Sequence, residues 1–309
     1  MLEPRLLARL EQKKRDLDAL RPLSAAVVRR LQETLTVEWI YNSNAIEGNT
    51  LTLQETRLIL ETGLTIGGKS LREHFEVINH QQAIDYVASL VNERAAITPF
   101  QVRQIHQLVL AQIDSENAGQ YRNLTVRIAG ASYIPPEPWE VARLMAEWGA
   151  WLNDAGQSLH PIERAALAHH RLVAVHPFID GNGRTARLVM NLLLMREAYP
   201  PTIILKVNRR QYYRVLAQAD AGQERPLVNF IGRAVERSLT LYLEACKPRP
   251  AAPAPDETWI LLRDAAEGTP YSQAYLSLLA RKGRLEAIKR GRNWYTTHQA
   301  VATYRRSLE

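Results

Sequence analysis

Apolar positions recur at three- and four-residue intervals along most of the chain, the period of one helix face. Val27, Val28, Leu31, Leu35 and Trp39 predict a helix over 24–41. Leu51-Thr52-Leu53 leads into a second helix through Thr56 to Glu61, with Gly63 as its stop. Phe75, Ile78, Ala83, Tyr86 and Leu90 share one side of a helix over 72–94. The same period predicts helices over 98–113, 138–153, 161–175, 184–198, 208–221 and 226–246. One stretch breaks the pattern. Residues 124–134 alternate, contain Gly130 and run into Pro135-Pro136, which predicts a short β-hairpin on a helical body.

Residues 247–256 are rich in Pro and Ala. Such a segment is a semi-extended spacer that cannot continue a helix, so it marks a domain boundary. Residues 257–309 then form a separate small module. Within it Thr269-Pro270-Tyr271-Ser272 starts a helix, Arg281-Lys282-Gly283-Arg284 turns, residues 288–295 form a tight hairpin, and a final helix follows.

The segment richest in chemistry is His176-Pro177-Phe178-Ile179-Asp180-Gly181-Asn182-Gly183-Arg184-Thr185-Ala186-Arg187, a loop between two apolar helices. Gly181 and Gly183 open backbone conformations closed to other residues. The loop feeds a helix N-terminus, where free N–H groups and the helix dipole favour an anion. Arg184 and Arg187 are three apart, on one side of the first turns, and guanidinium geometry suits phosphate oxygens. Asp180 is a hard oxygen ligand suited to Mg²⁺ bridging phosphates. His176 has the ordinary pKa for general-base work near neutral pH.

Every fixed position of H-P-F-x-D-G-N-G-R-x-x-R is present, and in this the loop resembles the signature of the Fic family. The resemblance covers about residues 20–246. It implies an N-terminal helical region over 1–95, a catalytic core over 96–246, and transfer of AMP from ATP to a Ser, Thr or Tyr hydroxyl of a target protein. His176 would deprotonate the hydroxyl and Asp180 would hold Mg²⁺. Phe178, Gly181, Asn182, Gly183, Arg184 and Arg187 would bind the nucleotide.

Upstream, Ser43-Asn44-Ala45-Ile46-Glu47-Gly48-Asn49-Thr50-Leu51 resembles the inhibitory motif of Fic proteins whose brake precedes the core. By that resemblance Glu47 pairs with Arg187 and blocks the γ-phosphate site. In some relatives the corresponding glutamate also supports removal of AMP, and the sequence leaves this open. The predicted hairpin falls where the family carries a flap that pairs with a target segment. Val126 and Ile128 are its candidate clamp. Tyr213 is a candidate for stacking on the base, an ordinary core tyrosine being the other reading.

The 257–309 module is similar to helix–turn–helix modules of the excisionase or winged type. Six cations between Arg281 and Arg292 face one acid, Glu286, a pattern suited to DNA phosphates. The fold class expected is therefore mainly α: a Fic-type helical core with one β-hairpin flap and a small C-terminal helix–turn–helix domain. Two alternatives stand beside AMP transfer. One is a DNA-binding regulator whose core senses nucleotide, and the other is a Fic enzyme using a different NTP donor.

Two decoys need separate arguments. Gly63 to Ser70 matches G-x-x-x-x-G-K-[ST], but a phosphate loop follows a strand and the residues before Gly63 read as a helix. His169 and His170 precede His176 on one helix and with Asp180 could suggest a metal hydrolase, a reading set aside here.

Composition adds bounds. The 309 residues are 46% hydrophobic and 23% charged, ordinary for a globular chain. The net charge of +7 favours an acidic partner without choosing among nucleotide, nucleic acid and an acidic protein surface. A single cysteine, Cys246, excludes an internal disulfide and fits a reducing compartment. No apolar run approaches the ~18 residues of a membrane span, and no secretory h-region is present near the N-terminus. A cytoplasmic protein and, from the resemblance, a homodimer are the expectations.

Overall fold

Side-chain caps set several helix starts in the computed structural model, which describes residues 1–93, 95–128, 130–247 and 258–306. Helix α1 spans Pro4–Ala19 and α2 spans Ala25–Ile46. Helix α3 (Leu53–Thr62) begins with a capping box of Thr52 and Glu55, and Gly63 ends it in the left-handed region at φ 70°. Helix α4 (Leu71–Val91) begins with a second box, Ser70 with Glu73. Helix α5 (Pro99–Leu110) has Thr98 as cap and Pro99 in its first turn. Then come α6 (Val141–Asn153), α7 (Pro161–Val175), α8 (Asn182–Arg196), α9 (Arg209–Asp220) and α10 (Glu224–Cys246).

Helix α8 is the axis of this bundle. Residues Arg184 through Leu194 are all buried, and the helix packs against α7 above all, then α4 and α5. One continuous apolar core joins these helices. Helix α1 was not legible as a helix in the sequence, because its turns are densely charged. It closes the bundle through Leu6, Leu10 and Leu17 against α10, where Gly232 leaves room for Leu2 and Leu6.

The chain divides into two compact units, Met1–Lys247 and Pro248–Glu309. The N-terminal helices and the helices after residue 96 thus pack as one body. The Pro/Ala spacer over 248–256 lies outside the described residues. The second unit contains β1 (Ile260–Leu261), α11 (Leu262–Ala266), α12 (Gln273–Arg281), β2 (Ala287–Arg290), β3 (Asn293–Thr296) and α13 (His298–Arg306) around its own small core. Its sheet is antiparallel in the order β1-β3-β2, with Arg290 opposite Asn293 across a two-residue turn at Gly291-Arg292. Ser272 caps α12, as its position before the apolar run predicts.

The predicted hairpin over 124–134 has a different form. Among the described residues of that segment there is no paired strand, only a turn in which Ala131 N–H donates to the Ile128 carbonyl. Two causes are visible. Pro135 and Pro136 supply no N–H to a ladder. The limbs are instead joined by the buried Arg122, whose guanidinium donates to the Leu124 and Pro136 carbonyls at 2.9 and 2.5 Å. Val126 and Ile128 are half-buried in this loop, between exposed Thr125 and Arg127.

The residues before Gly63 are helical, so the G-x-x-x-x-G-K-S match is a helix connection. Lys69 donates to Thr50 and Ser70 caps α4. Among the described residues no helix is long and apolar enough to cross a membrane.

Candidate active site

His176 terminates α7 in the left-handed region, at φ 49° and ψ 57°, a conformation uncommon for a residue other than glycine. The strain turns the chain sharply into the loop and presents the imidazole at its mouth. Nδ1 lies 3.2 Å from the Val173 carbonyl, so Nδ1 carries the proton and Nε2 is the basic nitrogen. Burial pushes the His176 pKa below the usual histidine value, with the Val173 contact opposing. The ring is therefore neutral and base-competent at neutral pH.

The backbone here is stapled by Arg122. Its Nε donates to the His176 carbonyl at 2.8 Å and its own N–H to the Pro177 carbonyl at 2.9 Å. One side chain thus fixes both the base and the two limbs of the neighbouring loop.

Phe178 and Asn182 hold the loop's shape from inside. Asn182 accepts from Phe178 N–H at 3.0 Å and donates to the Phe178 carbonyl at 2.8 Å. The Phe178 ring is fully buried and stacks on His106 at 3.6 Å. His106 accepts from Gly119 N–H on Nδ1 and donates from Nε2 to the Asp180 carbonyl, both at 2.9 Å. Burial lowers the His106 pKa to about 4, and a fixed neutral tautomer satisfies both contacts. Gly181 supports the sharp turn at φ 76°, with His106 close beneath it.

Helix α8 starts at Gly181 with no side-chain cap, so its first N–H groups face the loop. Asp180 lies beside them. Its Oδ1 accepts from Gly181 N–H at 2.6 Å, while Oδ2 pairs with Arg72 at 2.5 Å and Arg184 at 3.3 Å. Burial raises the Asp180 pKa, yet Arg184, Gly181 and Arg72 outweigh it and hold the carboxyl ionised. A carboxylate held ionised in this way would suit Mg²⁺ as a hard oxygen ligand. Arg184 is 2% exposed and lies behind Asp180, pairing with Glu76 at 3.5 Å.

Arg187 is 3% exposed and held by Ser43, whose hydroxyl and carbonyl accept at 3.0 and 2.8 Å. Its Nη1 is 2.7 Å from Glu47 Oε1, an ion pair without an aligned hydrogen bond. Glu47 is the C-cap of α2 and so projects from a helix end. Its carboxylate occupies the space over Gly183: a Cβ added there would lie 2.3 Å from Glu47 Oε1. Gly183 therefore admits the carboxylate, and the same opening would admit a phosphate.

Tyr213 is 40% exposed, and its hydroxyl donates to the Ile46 carbonyl at 3.3 Å. Its neighbour Tyr212 is buried and shares a 2.8 Å hydrogen bond with His169. His170 pairs with Asp220 at 2.9 Å. Both histidines are thus engaged by α9. Sequence reasoning missed His106, Arg122, Arg72 and Glu76. His106 had one signal, a histidine on the apolar face of Val102, Ile105 and Val109.

A helical bundle with a glycine-opened loop and an uncapped helix N-terminus beside a neutral histidine is an arrangement suited to a phosphate group with a base beside it. Comparison with known proteins gives the family. The Fic/DOC pattern matches residues 96–194. The chain is 41% identical over 273 residues to the "Protein adenylyltransferase Fic" of Drosophila grimshawi, covering 88% of this chain and 55% of that protein. It spans about half the length of the curated relatives it matches. A Fic domain containing signaling protein from Bacteroides thetaiotaomicron superposes with TM-score 0.73 and 31% identity, over 77% of this chain and 98% of that one. Fic-1 from C. elegans superposes with TM-score 0.70 and 39% identity, over 78% of this chain and 71% of that one. The chain belongs to the Fic family.

Proposed function

We propose that the protein is an autoinhibited adenylyltransferase that moves AMP from ATP to a Ser, Thr or Tyr hydroxyl of another protein. The observation that carries this reading is the Glu47 carboxylate, 2.7 Å from Arg187 and over Gly183, opposite a neutral His176. A catalytic loop with an acid parked where an outer phosphate would lie is a loop built for a triphosphate. The relatives named as adenylyltransferases supply the reaction class.

In the mechanism, the N–H groups at the start of α8 and the backbone at Gly181 and Gly183 bind phosphate oxygens. Arg187 binds the outer phosphate after Glu47 withdraws. Asp180 would hold Mg²⁺, which would neutralise phosphate charge when bound. His176 Nε2 takes the proton from the target hydroxyl, whose oxygen bonds to the α-phosphorus. The bond from that phosphorus to the β-phosphate oxygen breaks and pyrophosphate leaves. Positioning and electrostatics supply the rate, as in other phosphoryl chemistry. The loop held by Arg122, with half-buried Val126 and Ile128, would seat the target segment, and Tyr213 would face the base. The single cysteine is consistent with a cytoplasmic setting.

A second activity has its own support. Over residues 281–292 six exposed cations, Arg281, Lys282, Arg284, Lys289, Arg290 and Arg292, stand against Glu286, and the described structure gives none of them a carboxylate partner. The reading is a helix–turn–helix module, α11 and α12 with the β2–β3 hairpin, that contacts DNA phosphates. A salt-dependent gel shift tests it. The family resemblance also carries a homodimer, which light scattering measures.

The test of the main reading is mass spectrometry of a cell lysate incubated with ATP and the Glu47→Gly protein. An adduct of AMP mass on a target hydroxyl, lost in Glu47→Gly/His176→Ala, is expected. Adducts of another nucleotide, or none, would overturn the assignment.

A further inference from the structure

The end of the brake helix is fastened from two sides. The Asn44 carbonyl accepts from Glu47 and Asn49 N–H, and the Ala45 carbonyl accepts from Gly48 N–H. The Ile46 carbonyl, directly before Glu47, takes side-chain donors instead. Arg209 Nε donates to it at 2.6 Å and the Tyr213 hydroxyl at 3.3 Å. These two residues are four apart on α9, so they share one helix face, and the guanidinium lies 5.1 Å from the Tyr213 ring centre. On the opposite side Asn44 and Asn49 donate to the Glu76 and Glu73 carbonyls of α4.

A cation on the last carbonyl of a helix is favourable for two reasons. It satisfies an acceptor that the helix leaves unpaired, and it offsets the negative end of the dipole. Here the location matters more than the stability. The Ile46 carbonyl belongs to the peptide unit from which Glu47 departs. Its orientation therefore sets where the Glu47 carboxylate reaches. Asn44 and Asn49 fix the depth of the helix end, but Arg209 reaches this carbonyl from the opposite wall of the cleft.

We propose that Arg209 is a positioning residue for the brake: by holding the Ile46 carbonyl it aims Glu47 at Arg187 and over Gly183. This rests on the reading that Glu47 obstructs nucleotide, and it extends that reading to α9. The α9 segment that carries Tyr213 on the proposed base side is thereby the segment that keeps the carboxylate in place. A base stacking on Tyr213 would meet the latch directly, so nucleotide entry and brake release share one carbonyl.

The experiment measures the Kd of a non-hydrolysable ATP analogue by calorimetry for Arg209→Ala and Arg209→Lys, each alone and combined with Glu47→Gly. Melting curves for every variant monitor folding, which the exposed position of Arg209 favours. The expected result is binding tightened about three- to tenfold by Arg209→Ala alone, the range of one charge-assisted hydrogen bond at a partly exposed site. In the Glu47→Gly background the same change has no effect, because no carboxylate is left to aim. Arg209→Lys, which keeps a donor but loses the planar fork, falls between Arg209→Ala and wild type. A merely structural role would not produce this dependence on Glu47. Weaker binding in both backgrounds would make Arg209 a nucleotide contact and overturn the proposal, as would an unchanged Kd for Arg209→Ala alone. If Glu47→Gly itself fails to tighten binding, the brake reading falls first and the latch falls with it.

Discussion

Glu47 Oε1 stands 2.7 Å from Arg187 Nη1, in a space that only a glycine at 183 leaves open. Under the proposed brake, two properties of the carboxylate would obstruct a triphosphate there: it fills volume, and it repels an anion. Glu47→Gln separates them, since the amide keeps the volume and drops the charge. AMP incorporation by Glu47→Gln is expected to lie between wild type and Glu47→Gly, measured with labelled ATP. Equality with wild type would assign the brake to bulk alone.

Arg122 binds backbone carbonyls of His176, Leu124 and Pro136, and no group on the phosphate side of the loop. Arg122→Ala in the Glu47→Gly background should therefore cut transfer to protein at least ~10-fold while leaving the Kd for an ATP analogue within about twofold. Arg122→Lys should fail to rescue, because a single ammonium cannot reproduce the fork. Parallel loss of nucleotide affinity would contradict this division.

Burial lowers the His176 pKa, so the neutral base persists below the usual histidine titration. The rate of transfer by Glu47→Gly should be flat from neutral pH down to about 6.5 and fall only at lower pH. A pH series of initial rates measures this. An acid limb centred above pH 7 would contradict it.

His106 has a pKa lowered to about 4, against an ordinary 6.5. The folded state holds fewer protons than the unfolded chain between those values, so stability is complete above pH 6.5 and is lost as pH falls toward 4. Its share is roughly 3 kcal/mol, read from a shift of that size. Buried His169, lowered to about 3, acts in the same direction. Thermal melts from pH 7 to 4 should show the decline, and His106→Asn should flatten it while lowering stability at pH 7.

Which parts were legible follows from contiguity. The residues from His176 to Arg187 form one unbroken segment, so their order alone carried the loop, and Glu47 came with its own unbroken context. Arg72 and Glu76 reach the loop from α4, His106 from α5 and Arg122 from the segment after α5, stretches whose local pattern gives no sign of the contact. The same separation hid Arg209. Periodicity placed α2 through α10 because each buries an apolar face, and it passed over α1, whose three buried leucines are spaced among charged residues. Alternation at 124–134 predicted a β-hairpin, and the described residues of that segment form a turn without paired strands. It did not reveal that an arginine, rather than a strand ladder, joins the limbs. Phe178 stacks on His106, and Arg184 pairs with Asp180 and Glu76, contacts that the order of residues in the motif does not carry.

The most direct test is transfer of label from α-labelled ATP to protein by wild type, Glu47→Gly and Glu47→Gly/His176→Ala. Removing the carboxylate should raise incorporation at least ~10-fold, and removing the base should then lower it by about two orders of magnitude or more. No gain from Glu47→Gly, or transfer that survives the loss of His176, would contradict the account.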